Sequence, residues 1–306
     1  MPIIKKGVIC FFSAILFVSP AFAAGAAGTT AFNFLKMPFN AQTASMAGIS
    51  SLFLSASALN PSLIPLVRKP FLSAAYALHF QGVSYNSLSY TMPFEKFGIN
   101  VSYAGMNYGT MDSFIETAAG DYLSSGSFDA SDAYVSAGVG KKILKDVSLG
   151  LSVKYVWQKI QDSSMAGAAF SFTGAYVPEK HSWYISGGFE DIGADVEGYP
   201  LPSSFYIDFV NGHKEKPFTY AAGVKAFFDN TVWLKAVGEY AFAQTFFLRA
   251  GYSLPVTETN NSLGEWYQRN LSLGFGFEYG NFTVDYAWLP FGALGSTNMF
   301  SLNFHF

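Results

Sequence analysis

Cysteine is nearly missing from these 306 residues: the only one is Cys10. A disulfide staple within the chain is therefore excluded. Charge is scarce too, at 13% of residues. Ordinary soluble domains carry roughly 25%, and this chain has too little to coat a water-facing surface. After the N-terminus it also lacks an uninterrupted apolar run of about 18–20 residues, which a membrane-spanning helix needs. It has no basic cluster, so nucleic-acid binding finds no electrostatic support. The four histidines, His79, His181, His213 and His305, are scattered without a metal-binding spacing. No Ser–His pair stands in a recognisable catalytic setting, and no glycine-rich loop cradles phosphate. The sequence reads as a non-enzyme without a cofactor or metal.

What is present is aromatic: 32 Phe and 18 Tyr, with 29 Gly. The first residues read as a secretory leader, 1–23. Lys5 and Lys6 form its basic start, Gly7 to Val18 its apolar core, and Ala21-Phe22-Ala23 its cleavage pattern before Ala24. Cys10 lies inside this leader, without the upstream residues that a lipidated cysteine requires. Removing the two leader lysines takes the formal charge from −3 to about −5.

From Phe71 onward, stretches of about ten residues alternate with period two. Phe300, Leu302, Phe304 and Phe306 point one way, and Ser301, Asn303 and His305 the other. Leu271, Leu273, Phe275, Phe277 and Tyr279 likewise oppose Ser272, Gly274, Gly276 and Glu278. A soluble sandwich also alternates, but its outer face should be rich in Lys and Glu. Here that face is Phe, Leu, Tyr and Val. The pattern predicts an all-β transmembrane antiparallel barrel with lipid outside and small polar residues inside.

The count is about fourteen strands. They run near 70–80, 83–92, 97–106, 126–139, 146–159, 164–176, 181–191, 201–210, 218–228, 231–241, 245–254, 269–279, 282–289 and 297–306. The longest connections are Asn107–Ser125, Ile192–Pro200 and Pro255–Gln268, and they fall third, seventh and eleventh. All three positions are odd, so long connections leave one end of the barrel and short ones the other.

Residues 24–69 are different. No charge occurs between Lys36 and Arg68, and the stretch from Ala44 to Leu59 is rich in Ala, Ser and Met. Five serines break it, so it reads as small-residue helices packed inside the pore: a plug, 24–69, within a barrel, 70–306. Asn60-Pro61 reads as an N-cap followed by proline at the first helical position.

These residues resemble the PorV/PorQ family, a branch of the FadL-like outer-membrane barrels. Gly28-Thr29-Thr30-Ala31-Phe32-Asn33-Phe34-Leu35-Lys36 is similar to the family's opening motif. Met46 and Gly48 match its Met-Gly helix, and Asn60 and Pro61 its Asn-Pro signature. Gly150-Leu151-Ser152-Val153-Lys154-Tyr155, Arg249-Ala250-Gly251-Tyr252 and Asp285-Tyr286-Ala287-Trp288 resemble its strands. The final hairpin, Leu294 to Asn298 followed by Phe300-Ser301-Leu302, matches as well. Departures are Gln42 where the family has Arg, Ala47 for the first Gly of a pair, and Ser62 after Asn-Pro. Without that Arg a salt bridge to the barrel wall is lost, so plug docking need not copy the family's.

Lys154, Lys225, Lys235 and Arg249, with Glu190, Glu239, Glu278 and Asp285, are read as lumen-facing. They suit either a salt-bridge network that packs a closed interior or a polar path. Phe304 and Phe306 resemble the C-terminal signal that barrel-assembly machinery recognises. The resemblance implies an outer-membrane site, lipid contact, and passage of a hydrophobic ligand. Leu263, Trp266 and Tyr267 are candidates for a greasy entry. Its alternative is accessory work with secretion-system proteins of the type IX pathway.

Overall fold

The alternating stretches form fourteen strands in a computed structural model that describes residues 29–306 apart from 53, 54, 56, 118, 119, 213–216, 244 and 257–269. The leader, His213, and the entry candidates Leu263, Trp266 and Tyr267 lie outside the described residues. Every strand is antiparallel to both neighbours, and β1 (Phe71–Leu78) closes the barrel against β14 (Ser296–His305). Closure removes the edges that the first and last strands would otherwise present, as a sheet surrounded by hydrocarbon requires.

Between them run β2 (Ser84–Pro93), β3 (Phe97–Glu116), β4 (Tyr122–Leu144), β5 (Val147–Ile160), β6 (Ser163–Tyr176) and β7 (Trp183–Ile192). Then follow β8 (Ser204–Asn211), β9 (Phe218–Phe227), β10 (Val232–Phe242), β11 (Phe246–Pro255), β12 (Leu271–Tyr279) and β13 (Phe282–Pro290). Tight turns at one end include Gly280-Asn281, where Gly280 takes a φ of 59°, a left-handed value suited to a two-residue hairpin. That end also holds Phe71 and Phe306, and is called the terminal end below.

One expectation needs correcting. Asn107–Ser125 is not a long loop: β3 and β4 continue through most of it and turn only at 117–121. Thr110, Phe114, Ile115, Tyr122 and Phe128 have strand propensity enough to carry the hairpin past the barrel rim. The turn is still the third connection, so the parity of the ends is unchanged.

The outward face is an apolar belt. Val101, Leu151, Phe170 and Phe300 are each more than half exposed, which water would penalise and lipid favours. Inside, the chain before Phe71 fills the lumen. A 3-10 turn at Asn33–Lys36, a short helix α1 (Ala41–Ser45) and a 3-10 helix at Pro61–Leu66 build it, and Phe39 before α1, Met46 after it and Ile64 in the last are fully buried. The helical expectation for Ala44 to Leu59 is cut short. Ala47 and Gly48 adopt left-handed φ values of 52° and 72°, which end α1 after one turn.

Candidate functional site

The plug is held by backbone contact as much as by side chains. A Cβ on Gly150 would lie 2.2 Å from the Ser62 nitrogen, and one on Gly140 2.1 Å from the Pro61 carbonyl oxygen. On the far wall, a Cβ on Gly274 would meet Ser45 at 2.4 Å, and one on Gly251 the Ala47 nitrogen at 2.7 Å. Strand glycines thus form two seats, where a side chain would push the plug off the wall. Short hydroxyls complete them. Ser148 donates to the Ser62 carbonyl at 2.6 Å, Ser87 to the Phe39 carbonyl at 2.6 Å, and Ser272 to the Ser45 carbonyl at 3.0 Å.

Asn60 stands before the 3-10 helix, but its side chain does not cap it. Its amide instead donates to Ser186 Oγ on β7 at 2.8 Å, tying plug to wall. Pro61 fills the β4–β5 seat. Met46 is fully buried against Val210, Ala221 and Val237, and Gly48 gives way to Lys235, whose ammonium lies 3.4 Å from where a Cβ would sit.

At the opposite end of the lumen the plug has an ionic tie, the one found among the described residues. Lys36 Nζ meets Asp229, in the β9–β10 turn, at 2.8 Å and sits 4.8 Å over the Phe227 ring. Burial alone would raise the Asp229 carboxyl, but the Lys36 and Thr231 hydrogen bonds outweigh it and hold it below the usual carboxylate range. Gln42, at the position where the family has Arg, accepts from Ser55 Oγ within the plug. The charged tie therefore comes from Lys36.

Most of the expected lumen charges meet in pairs. Lys154 joins Asp191 at 2.6 Å, Lys225 joins Glu190 at 2.5 Å, and Arg249 bridges Glu239 at 2.7 Å and Asp285 at 2.6 Å. Lys235 lies in the field of Asp208 and Glu190. Glu278 is a correction: although its parity is inward, it lies exposed at the terminal end of β12 and forms none of these pairs. Phe304 and Phe306 pack edge to face at 4.8 Å on the outer rim, beside Phe282 and Tyr90.

Asp191 was not legible as a lumen residue, because alternation places it opposite Glu190. A β-bulge breaks the register between Phe170 and Phe172 and gives Asp191 a φ of 55°. Its N–H donates to Ser171 Oγ at 3.2 Å, so consecutive acids both turn inward. Above the bulge β7 ends, and Ser163–Ala169 of β6 pair with β5 but not with β7. The connection 193–203 lies over this seam, with Val196 against Gly167 and Leu201 buried. Here the wall is incomplete. A cavity of about 1150 Å³ reaches both its faces, touching outward Leu151, Val153, Phe170 and Phe172, inward Ser152 and Ser171, and Thr30 of the plug.

The overall fold is shared with known structures. The toluene transporter TodX of Pseudomonas putida superposes with a TM-score of 0.64 at 12% identity, over 87% of this chain and 96% of that one. The monoaromatic hydrocarbon channel CymD gives 0.63 at 11%, over 90% and 99%. At this level of identity the likeness is one of fold. No protein-family model and no curated sequence matches the chain. The first of these is named as a transporter and the second as a channel. Among the described residues of the barrel, no group of three or more His, Cys, Asp or Glu is placed to hold a metal.

Proposed function

We propose that the protein is an outer-membrane channel, of the PorV/PorQ kind within the FadL-like barrels, that passes small hydrophobic molecules. The observation that carries this is the β6–β7 seam: a mainly apolar cavity touching both faces of a barrel whose axis is filled by a plug. A paired, plugged interior does not favour an open polar pore. A nonpolar solute that leaves sideways through the seam enters hydrocarbon without crossing water. Monoaromatic hydrocarbons, named for TodX and CymD, are the first solutes to try. In this reading the long connections face the outside of the cell and the terminal end the periplasm.

The seam supplies its own test. A Cβ on Gly167 would lie 2.7 Å from Val196 Cγ2, close enough for an engineered disulfide, and the chain beyond its leader offers no competing thiol. Cells producing G167C/V196C should take up labelled toluene when reduced and lose that uptake when oxidised. Equal uptake in both states would refute the seam route. A barrel that served only as an accessory to protein secretion would give no uptake in either state.

A further inference from the structure

β3 pairs with β2 only as far as Asn107, and β4 with β5 only as far as Ala130. Beyond Thr110 and Asp129 the two strands pair with each other alone among the described residues, making a ribbon roughly 20 Å long whose outer edges no other described strand covers. Paired residues share a face. One face carries Met111, Phe128, Ile115 and Leu123 and no charge, with Ile115 and Leu123 each 57% exposed. The other carries Asp112, Glu116 and Asp129 among polar residues, Phe114 and Tyr122. Between residues 107 and 131 stand four acids, Asp112, Glu116, Asp121 and Asp129, and no Lys, Arg or His.

An isolated two-stranded ribbon is marginal in water, and one with bare apolar side chains and bare edges is a template for a partner. We infer that this arm docks a cationic, apolar segment of another protein outside the cell. A small solute would want a concave pocket, and the ribbon is a flat strip. A second copy would set four carboxylates against four, and an anionic lipid surface would be repelled in the same way. A segment alternating basic and apolar residues satisfies both faces and can add a strand to a free edge.

The inference rests on the outward orientation proposed above, which is checked separately. Asp162→Cys, in the β5–β6 turn at the same end, should react with a membrane-impermeant maleimide on intact cells. Docking itself is read with the full-length protein in neutral phosphatidylcholine nanodiscs. The probe is a fluorescent peptide of alternating leucine and lysine, and its control has glutamate for lysine. The lysine peptide should bind, and affinity should fall roughly tenfold in both D112N/E116Q and I115S/L123S, with barrel folding unchanged by heat-modified migration. Unchanged affinity in either variant, or equal binding of the glutamate peptide, would overturn it. In cells, a photo-crosslinking residue at Leu123 should give a protein adduct that D112N/E116Q abolishes. An adduct to lipid or to a second copy, or none, would also overturn it.

Discussion

Gly276 on β12 and Asp285 on β13 stand directly opposite each other, and the absent side chain of one leaves room for the ion pairs of the other. A Cβ on Gly276 would lie 2.5 Å from Asp285 Oδ1 and 2.8 Å from the Arg249 guanidinium nitrogens. Arg249 is buried between two carboxylates, so removing it strands both. Arg249→Met is expected to cost about 3–5 kcal/mol, read as a lower urea midpoint for the folded barrel. Gly276→Val should lower it in the same direction by crowding the same triad, whereas Gly280→Ala, with open space around it, should act only through its left-handed turn.

The β4–β5 seat predicts a change in conductance. Gly150→Val puts side-chain atoms where Ser62 and Pro61 now lie, so the plug must shift while the barrel stays closed. Planar-bilayer recordings should show larger or more frequent openings than the parent protein. A parent-like trace from a folded G150V barrel would mean that the seat does not hold the plug.

Acid should release the other tie. The Asp229 carboxyl is held below its ordinary value, so the Lys36–Asp229 pair contributes stability that is fully present above the unfolded value near pH 4. That contribution disappears as pH falls through the lower, folded value. Protease access to the segment near Lys36 should stay flat from pH 8 to about pH 5 and rise below about pH 4. Lys36→Met should remove the acid-dependent step and raise access at neutral pH.

Assembly depends on the last strand. Deleting Ser301–Phe306 removes five of the eight paired positions of β14 with β1 and four of the nine with β13, and opens an edge on each. The truncated chain should not reach the membrane as heat-modifiable, folded protein. Recovery of folded protein after the deletion would show that closure needs less of β14 than its ladder implies.

Period-two alternation made the strands legible, since a lipid-facing Phe300 and a lumen-facing Ser301 differ in every relevant property. The lumen charges were legible by the same parity wherever the ladder is regular, as at Lys154, Lys225 and Arg249. Parity failed where geometry departs from the ladder. Asp191 turns inward only because of a bulge, and Glu278 has the right parity at a height where the lumen has already opened to water. Lys36 and Asp229 lie 193 residues apart, and neither has a neighbour in sequence that reports the other. The reach of β3 and β4 was hidden because the acids and serines of the arm look like loop composition until they are seen paired.

The plug precedes every strand in the chain, yet its seats are spread over β4, β5, β11 and β12, and the wall is completed only by β14. A segment gripped by glycines on opposite walls cannot easily be threaded in after the cylinder shuts. In the closed barrel it acts as a mandrel, a filled core that fixes the width of the sheet wrapped around it. The many contacts distant in sequence that the plug makes are thus spent on setting the bore of the barrel.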